Sequence, residues 1–196
     1  FVPESDVART ARRRAGEFGV SSISTGTAAT LALLTRLVKA RHVVEIGTGT
    51  GVSALALLSG MEADGVITSI DSQAELQLQA RSQLGAEGIP ARRARLIAGQ
   101  ALEVLPKLTD GAYDLVFIDA DPLEYVEYVA QAQRLLRAGG VLVLHHALWQ
   151  GKVADPDNED DEPLIVREAL TAVSESEDFT AALLPVGDGL LVAVRS

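Results

Sequence analysis

The chain contains no cysteine, which excludes disulfides and thiolate-bound metals and suits a reducing cytoplasm without requiring one. No apolar run approaches the roughly 18 residues a spanning helix needs, so no membrane segment is expected. Residues 1–6 have no basic stretch leading into an apolar one and do not read as a signal peptide. A start at Phe1 reads instead as a natural N-terminus that is missing. Positive charge is scarce: 17 Lys and Arg against 27 Asp and Glu leave a net charge of -10. Phosphate backbones repel such a surface, which argues against DNA or RNA as a partner. The basic residues gather in small clusters, Arg12-Arg13-Arg14 and Arg92-Arg93 with Arg95. Residues 155–162 are mostly acidic. These read as solvated helix faces and a solvated loop, or for the acidic run as a lid that repels anionic substrates.

What is present is a globular composition, 47% hydrophobic over 196 residues, enough for one domain with a substantial core. Residues 1–196 are expected to form a single domain, with N-terminal helices over about 3–39 and an alternating core over about 42–196. Helices are predicted at 3–18 and 25–39. Strands then alternate with helices: strands at 42–46, 66–70, 95–98, 114–118 and 141–144, helices at 52–58, 73–84, 101–108 and 122–137. Gly139-Gly140 is read as the end of that last helix. Five such alternations call for a largely parallel sheet covered on both faces. A helix at about 162–174 and two strands, 179–185 and 190–195, around Gly187-Asp188-Gly189 read as a terminal hairpin.

The most informative stretch is Val43-Val44-Glu45-Ile46-Gly47-Thr48-Gly49-Thr50-Gly51-Val52-Ser53. A strand ends, three alternate glycines follow, and a helix begins. Such a turn lets a ligand approach the main chain, and the helix N-terminus offers free N–H groups. Asp71 closes the next strand, where a carboxylate can accept both hydroxyls of a ribose. A dinucleotide fingerprint would need glycine where Val52 stands. Glu45, two residues before the first glycine, is unwelcome to a pyrophosphate but suits a ligand carrying an ammonium and a sulfonium. The pattern therefore favours S-adenosylmethionine (SAM) over a nicotinamide dinucleotide.

From these motifs the sequence resembles the catechol and caffeoyl-CoA type O-methyltransferases, including their bacterial members. Glu45-Ile46-Gly47-Thr48-Gly49-Thr50-Gly51-Val52-Ser53 is similar to their glycine motif, and Phe117-Ile118-Asp119-Ala120-Asp121 to their fourth-strand signature. Gly139-Gly140, Leu148-Trp149-Gln150-Gly151 and Pro185-Val186-Gly187-Asp188-Gly189-Leu190 resemble later family blocks. The resemblance implies an α/β fold of the class I SAM-methyltransferase type: a seven-stranded, mostly parallel sheet with an antiparallel last strand and helices on both faces. It implies methyl transfer to a small-molecule hydroxyl and a homodimer. It also implies roles. Glu45, Gly47, Thr48 and Gly49 would meet the methionine portion of the cofactor, with Ser53 at its carboxylate. Asp71 would hold the ribose, Gln100 and Ala101 the adenine, and Ile23 the cofactor mouth. Asp119 would stand beside the sulfonium.

The chain also departs from that family. Its members hold a divalent cation, usually Mg²⁺, with the first aspartate of the fourth-strand signature and an Asp-Asn pair after the fifth strand. A lysine three residues after that aspartate assists deprotonation. Here Asp119 is kept, His145-His146 replace the Asp-Asn pair, and Pro122 replaces the lysine. Mg²⁺ prefers oxygen donors, so a divalent metal is doubtful and none is expected. Three readings of the pair are open: His145 or His146 as general base beside Asp119; Asp119, His145 and His146 as ligands of a softer metal; or a structural pair in a SAM-binding protein with little turnover. Trp149 could wall a flat substrate or plug the core, while Tyr125 and Tyr128 read as packing. A nicotinamide-dependent oxidoreductase is the more distant alternative.

Overall fold

The structure is a computed structural model that describes residues 2–196. Two helices lead, α1 (Asp6–Glu17) and α2 (Thr25–Leu37). Each is capped by a serine hydroxyl: Ser5 accepts from the Ala8 N–H at 3.1 Å and Ser24 from the Thr27 N–H at 3.0 Å. The core then alternates as the sequence leads one to expect: β1 (His42–Ile46), α3 (Val52–Gly60), β2 (Val66–Asp71), α4 (Ala74–Ala86), β3 (Ala94–Ala98), α5 (Ala101–Val104), β4 (Tyr113–Ile118), α6 (Tyr125–Leu135) and β5 (Leu136–His145). It ends with α7 (Asp161–Ser174), β6 (Phe179–Leu184) and β7 (Leu190–Arg195). Among the described residues no helix is long and apolar enough to cross a membrane.

All seven strands join one sheet in the order β3-β2-β1-β4-β5-β7-β6. Strands β1 to β5 are parallel, and β7 runs antiparallel to both β5 and β6. Alternate residues of each central strand feed opposite cores, as a period of two dictates. Val44, Ile46, Val116, Ile118 and Leu142 pack with Tyr125, Val129 and Ala132 of α6 and Val166 and Ala169 of α7. Val43, Leu115, Phe117 and Val143 face the other way, onto Leu31 of α2 and Ala54 and Leu57 of α3. Chain order reverses between β1 and β4, since β1 is followed outward by β2 and β3 while β4 is followed by β5. The crevice beyond the carboxyl ends of those two strands is where open α/β sheets bind ligands.

Two expectations fail. Residues 136 and 137 belong to β5 and not to the preceding helix, and Gly139-Gly140 lies inside that strand. A Cβ on Gly140 would come within 2.9 Å of the Arg137 carbonyl oxygen and 3.1 Å of the Tyr113 carbonyl oxygen. The glycine therefore serves close strand packing, at the irregularity where the β4–β5 register shifts. The helix expected at 101–108 also breaks early, passing into a 3₁₀ turn at Leu105–Lys107.

Candidate active site

A cavity of about 590 Å³ opens at the switch between β1 and β4. Of the residues singled out from sequence, Ile23, Gly47, Thr48, Gly49, Ser53, Asp71, Gln100, Ala101, Asp119 and His146 border it. Glu45 and His145 do not; they stand behind its wall. Trp149 also borders it while packing against the hydrophobic core, so the indole serves as wall and core cover together. Tyr128, Glu124 and Asp121 border it too, and sequence reasoning had taken Tyr128 for packing. None of residues 155–162 lines the cavity. That segment is held aside by Arg167, which donates to the Asp155 carbonyl at 2.8 Å.

At one end the wall is mostly backbone. Gly47 has φ 94°, and a Cβ there would sit 1.9 Å from the Asp119 carbonyl oxygen. Any side chain at 47 would thus push β1 and β4 apart at the point where the crevice forms. The Asp71 carboxylate accepts from the Gly49 N–H through Oδ2 and from the Gln73 N–H through Oδ1, both at 2.8 Å. It therefore braces the glycine turn while facing the cavity. Thr50 ties the same turn to α1 by donating to the Ala11 carbonyl at 2.7 Å. Arg12 is not the solvated residue its cluster suggested. It pairs with Glu4 and donates to Ser22 Oγ and the Ile23 carbonyl, anchoring the segment that borders the cavity mouth.

Beneath this turn lies Glu45, fully buried. Ser69 donates to its Oε2, and Ser69 and Thr48 hydroxyls lie 2.6 Å apart. Gln77 donates to Thr48 Oγ1 at 2.8 Å. Glu45 Oε1 has no hydrogen-bond partner among the described residues. Burial dominates this carboxyl and pushes it from the ordinary 4.5 up to about 8, with Ser53 and Ser69 pulling the other way and the Asp119 and Asp71 charges adding to the rise. At neutral pH the group is mostly neutral.

The other end is built from side chains on distant segments. His145 closes β5 with its ring buried, and its Nδ1 lies 2.8 Å from Asp119 Oδ1. His146 has φ 57°. That left-handed residue ends the strand alternation, so both rings turn to the same side, with centroids 4.0 Å apart. His146 Nε2 is 3.6 Å from Asp119 Oδ1, and its Nδ1 is 2.8 Å from Asp188 Oδ2. Trp149 meets the His146 ring edge-on at 5.6 Å. Tyr125 packs as expected, yet its hydroxyl donates to the His145 carbonyl at 3.2 Å, and burial raises its pKa well above the ordinary phenol value. Asp188 was missed as a site residue, because nothing local to the terminal turn announces a partner 42 residues away.

One ligating atom each from Asp119, His145 and His146 lie within 4.8 Å of one another. The donor set does not fit Mg²⁺, which favours oxygen ligands in near-octahedral array. The 2.8 Å contact between His145 and Asp119 is the spacing of two atoms sharing a proton.

A parallel sheet that reverses between β1 and β4, a glycine turn over a buried glutamate and an antiparallel seventh strand together define the class I methyltransferase fold. Comparison with known proteins narrows the class. Residues 6–196 match the family model described as O-methyltransferase. A Mycobacterium tuberculosis protein described as a probable O-methyltransferase is 47% identical over 194 residues, covering 99% of this chain and 87% of that one. The chain therefore belongs to the O-methyltransferase family. Among solved structures, it is similar to the O-methyltransferase TomG of Streptomyces achromogenes, determined in complex with SAM (TM-score 0.92, 30% identity, covering 100% of this chain and 92% of that one). It is also similar to a Corynebacterium glutamicum protein (TM-score 0.93, 29% identity, covering 100% and 92%).

Proposed function

We propose that the protein methylates a hydroxyl of a small-molecule acceptor, with SAM as donor, His146 as proton acceptor and no Mg²⁺ requirement. The carrying observation is that His146 is the one imidazole lining the cavity among the described residues, where no lysine or arginine lines it. It stands next to Asp119, at the acceptor end.

The cavity fits the donor on its own terms. The unpartnered Glu45 Oε1 behind the glycine turn suits an ammonium group, with Ser53 and Thr48 nearby for the carboxylate end. Asp71 would take the ribose hydroxyls, Gln100 and Ala101 the adenine, and Ile23 the mouth. When bound, SAM supplies an electrophilic methyl group on a sulfonium.

His146 accepts the acceptor's hydroxyl proton as the oxygen forms its bond to carbon, and the electrons of the broken C–S bond stay with sulfur. The resulting imidazolium lies between Asp119 and Asp188, and both carboxylates stabilise it. His145, buried and bonded to Asp119, orients that carboxylate. Trp149 and Tyr128 bound the acceptor space and exclude water. The family resemblance further implies a homodimer, and the absence of cysteine suits a reducing cytoplasm; sedimentation and fractionation would test the two.

Calorimetric titration with SAM and with S-adenosylhomocysteine tests the donor site, and heat is expected for both. Absence of heat for either would remove the proposal. Release of S-adenosylhomocysteine across a panel of hydroxylated aromatics then tests turnover. No product from any acceptor would favour a binding protein over an enzyme.

A further inference from the structure

We propose that Asp188, in the turn between β6 and β7, is a positioning residue that holds His146 with Nδ1 protonated and Nε2 free. The inference rests on the reading of His146 as proton acceptor, since only a bare Nε2 can take a proton from the cavity side. A neutral imidazole carries one proton, and two carboxylates compete for it. Asp188 Oδ2 is 2.8 Å from Nδ1, a full hydrogen bond, while Asp119 Oδ1 is 3.6 Å from Nε2, beyond one. Asp119 Oδ1 is also already engaged by His145 at 2.8 Å. Asp188 wins on both counts. An ionised carboxylate can only accept, so the proton must sit on Nδ1.

Asp188 itself cannot turn away. Its Oδ1 accepts from the Gln150 N–H at 2.7 Å, and its carbonyl accepts from the Leu148 N–H at 2.9 Å. Gly189, at φ 83°, lets the turn come this close, for a Cβ there would lie 2.6 Å from Leu148 Cγ and 2.8 Å from its nitrogen. The loop on the receiving side is strained: His146, Trp149 and Gln150 all have positive φ, at 57°, 44° and 55°. Non-glycine residues in that region are strained and persist only where surrounding bonds enforce them. Two of the three are the residues that Asp188 binds. The Gly187-Asp188-Gly189 turn thus has a role of its own: it carries one carboxylate to the back of the base.

The test exploits what an amide would do in that place. In Asp188→Asn, the side-chain oxygen stays on the Gln150 N–H and the amide NH₂ faces Nδ1. The imidazole proton must then move to Nε2, the wrong nitrogen for a base. Ring-nitrogen NMR of ¹⁵N-histidine protein, recorded well above the ordinary imidazole range of about 6.5, is expected to show Nδ1–H at His146 in the wild type and Nε2–H in D188N. Methyl transfer in D188N should fall about 10²-fold or more, with SAM affinity changed less than about twofold. Wild-type protein with the proton on Nε2, or D188N with it still on Nδ1, would overturn the inference. The wild-type measurement needs no variant to fold. An active His146→Gln would sink the base reading alone, because the tautomer is read without turnover.

Discussion

The donor end of the cavity is organised around one continuous stretch, residues 46–53 over the buried Glu45, with Asp71 as its brace. The acceptor end assembles Asp119 from the end of β4, His145 and His146 from the end of β5, and Asp188 from the last turn. At the donor end the backbone makes the shape and a buried acid waits uncharged. At the acceptor end hydrogen-bonded side chains make the shape, with Asp119, His145, His146 and Asp188 linked in one chain of contacts. The difference teaches where tolerance lies. On the proposed function, substitutions at the donor end are expected to act on cofactor affinity and folding, and those at the acceptor end on the chemical step.

The largest effect should separate the two ends most cleanly. His146→Gln is expected to lower methyl transfer by about 10²- to 10⁴-fold, the usual yield of a general base, while calorimetry finds SAM affinity unchanged. A parallel fall in affinity would blur the division.

Glu45→Gln comes next and should act oppositely on two readouts. The wild-type carboxyl is raised in the folded protein to about 8 from 4.5, so its ionisation favours the unfolded state. Wild-type stability is therefore undiminished below pH 4.5, declines as pH rises from 4.5 to 8, and stays reduced above that. At about 1.4 kcal/mol per pKa unit, the cost at pH 7 is roughly 3 kcal/mol. The glutamine variant should lack this pH slope and melt higher than wild type at pH 7, yet bind SAM more weakly for want of an anion. Melting curves that run parallel across that range would contradict the neutral buried acid.

Asp71→Ala should weaken SAM binding by about 10- to 100-fold, the worth of charge-assisted hydrogen bonds of roughly 1.5–3 kcal/mol. It also frees the Gly49 and Gln73 N–H groups, so some loosening of the turn should accompany it. Unchanged affinity would strip Asp71 of its ribose role. The smallest expected effect is none at all: millimolar Mg²⁺ should alter neither SAM affinity nor turnover. A large Mg²⁺-dependent acceleration would mean that Asp119 and its histidines had been misassigned.

Much of the donor end was legible in the residues themselves. Glycines at 47, 49 and 51 between an apolar strand and a helix state a backbone requirement locally, and the alternation of strands and helices states a parallel sheet. The pair Gly139-Gly140 misled, because a helix stop and a tight spot inside a strand both call for glycine. Only the neighbouring Tyr113 carbonyl distinguishes them. Glu45 was legible as a carboxylate beside the glycine turn but not as a buried, largely neutral one, since desolvation depends on everything packed around it. Arg12 looked like a solvated charge until the segment it anchors was placed beside it.

By itself the sequence determined the α/β alternation, the glycine turn, the family and the loss of the oxygen-ligand pair. These depend on residues close together in the chain, where periodicity and backbone freedom speak directly. Tertiary structure alone decided which histidine fronts the cavity, which nitrogen Asp188 faces, and that Glu45 lies out of water. Those are distances between residues dozens of positions apart, and hydrogen bonding and desolvation are set by such distances.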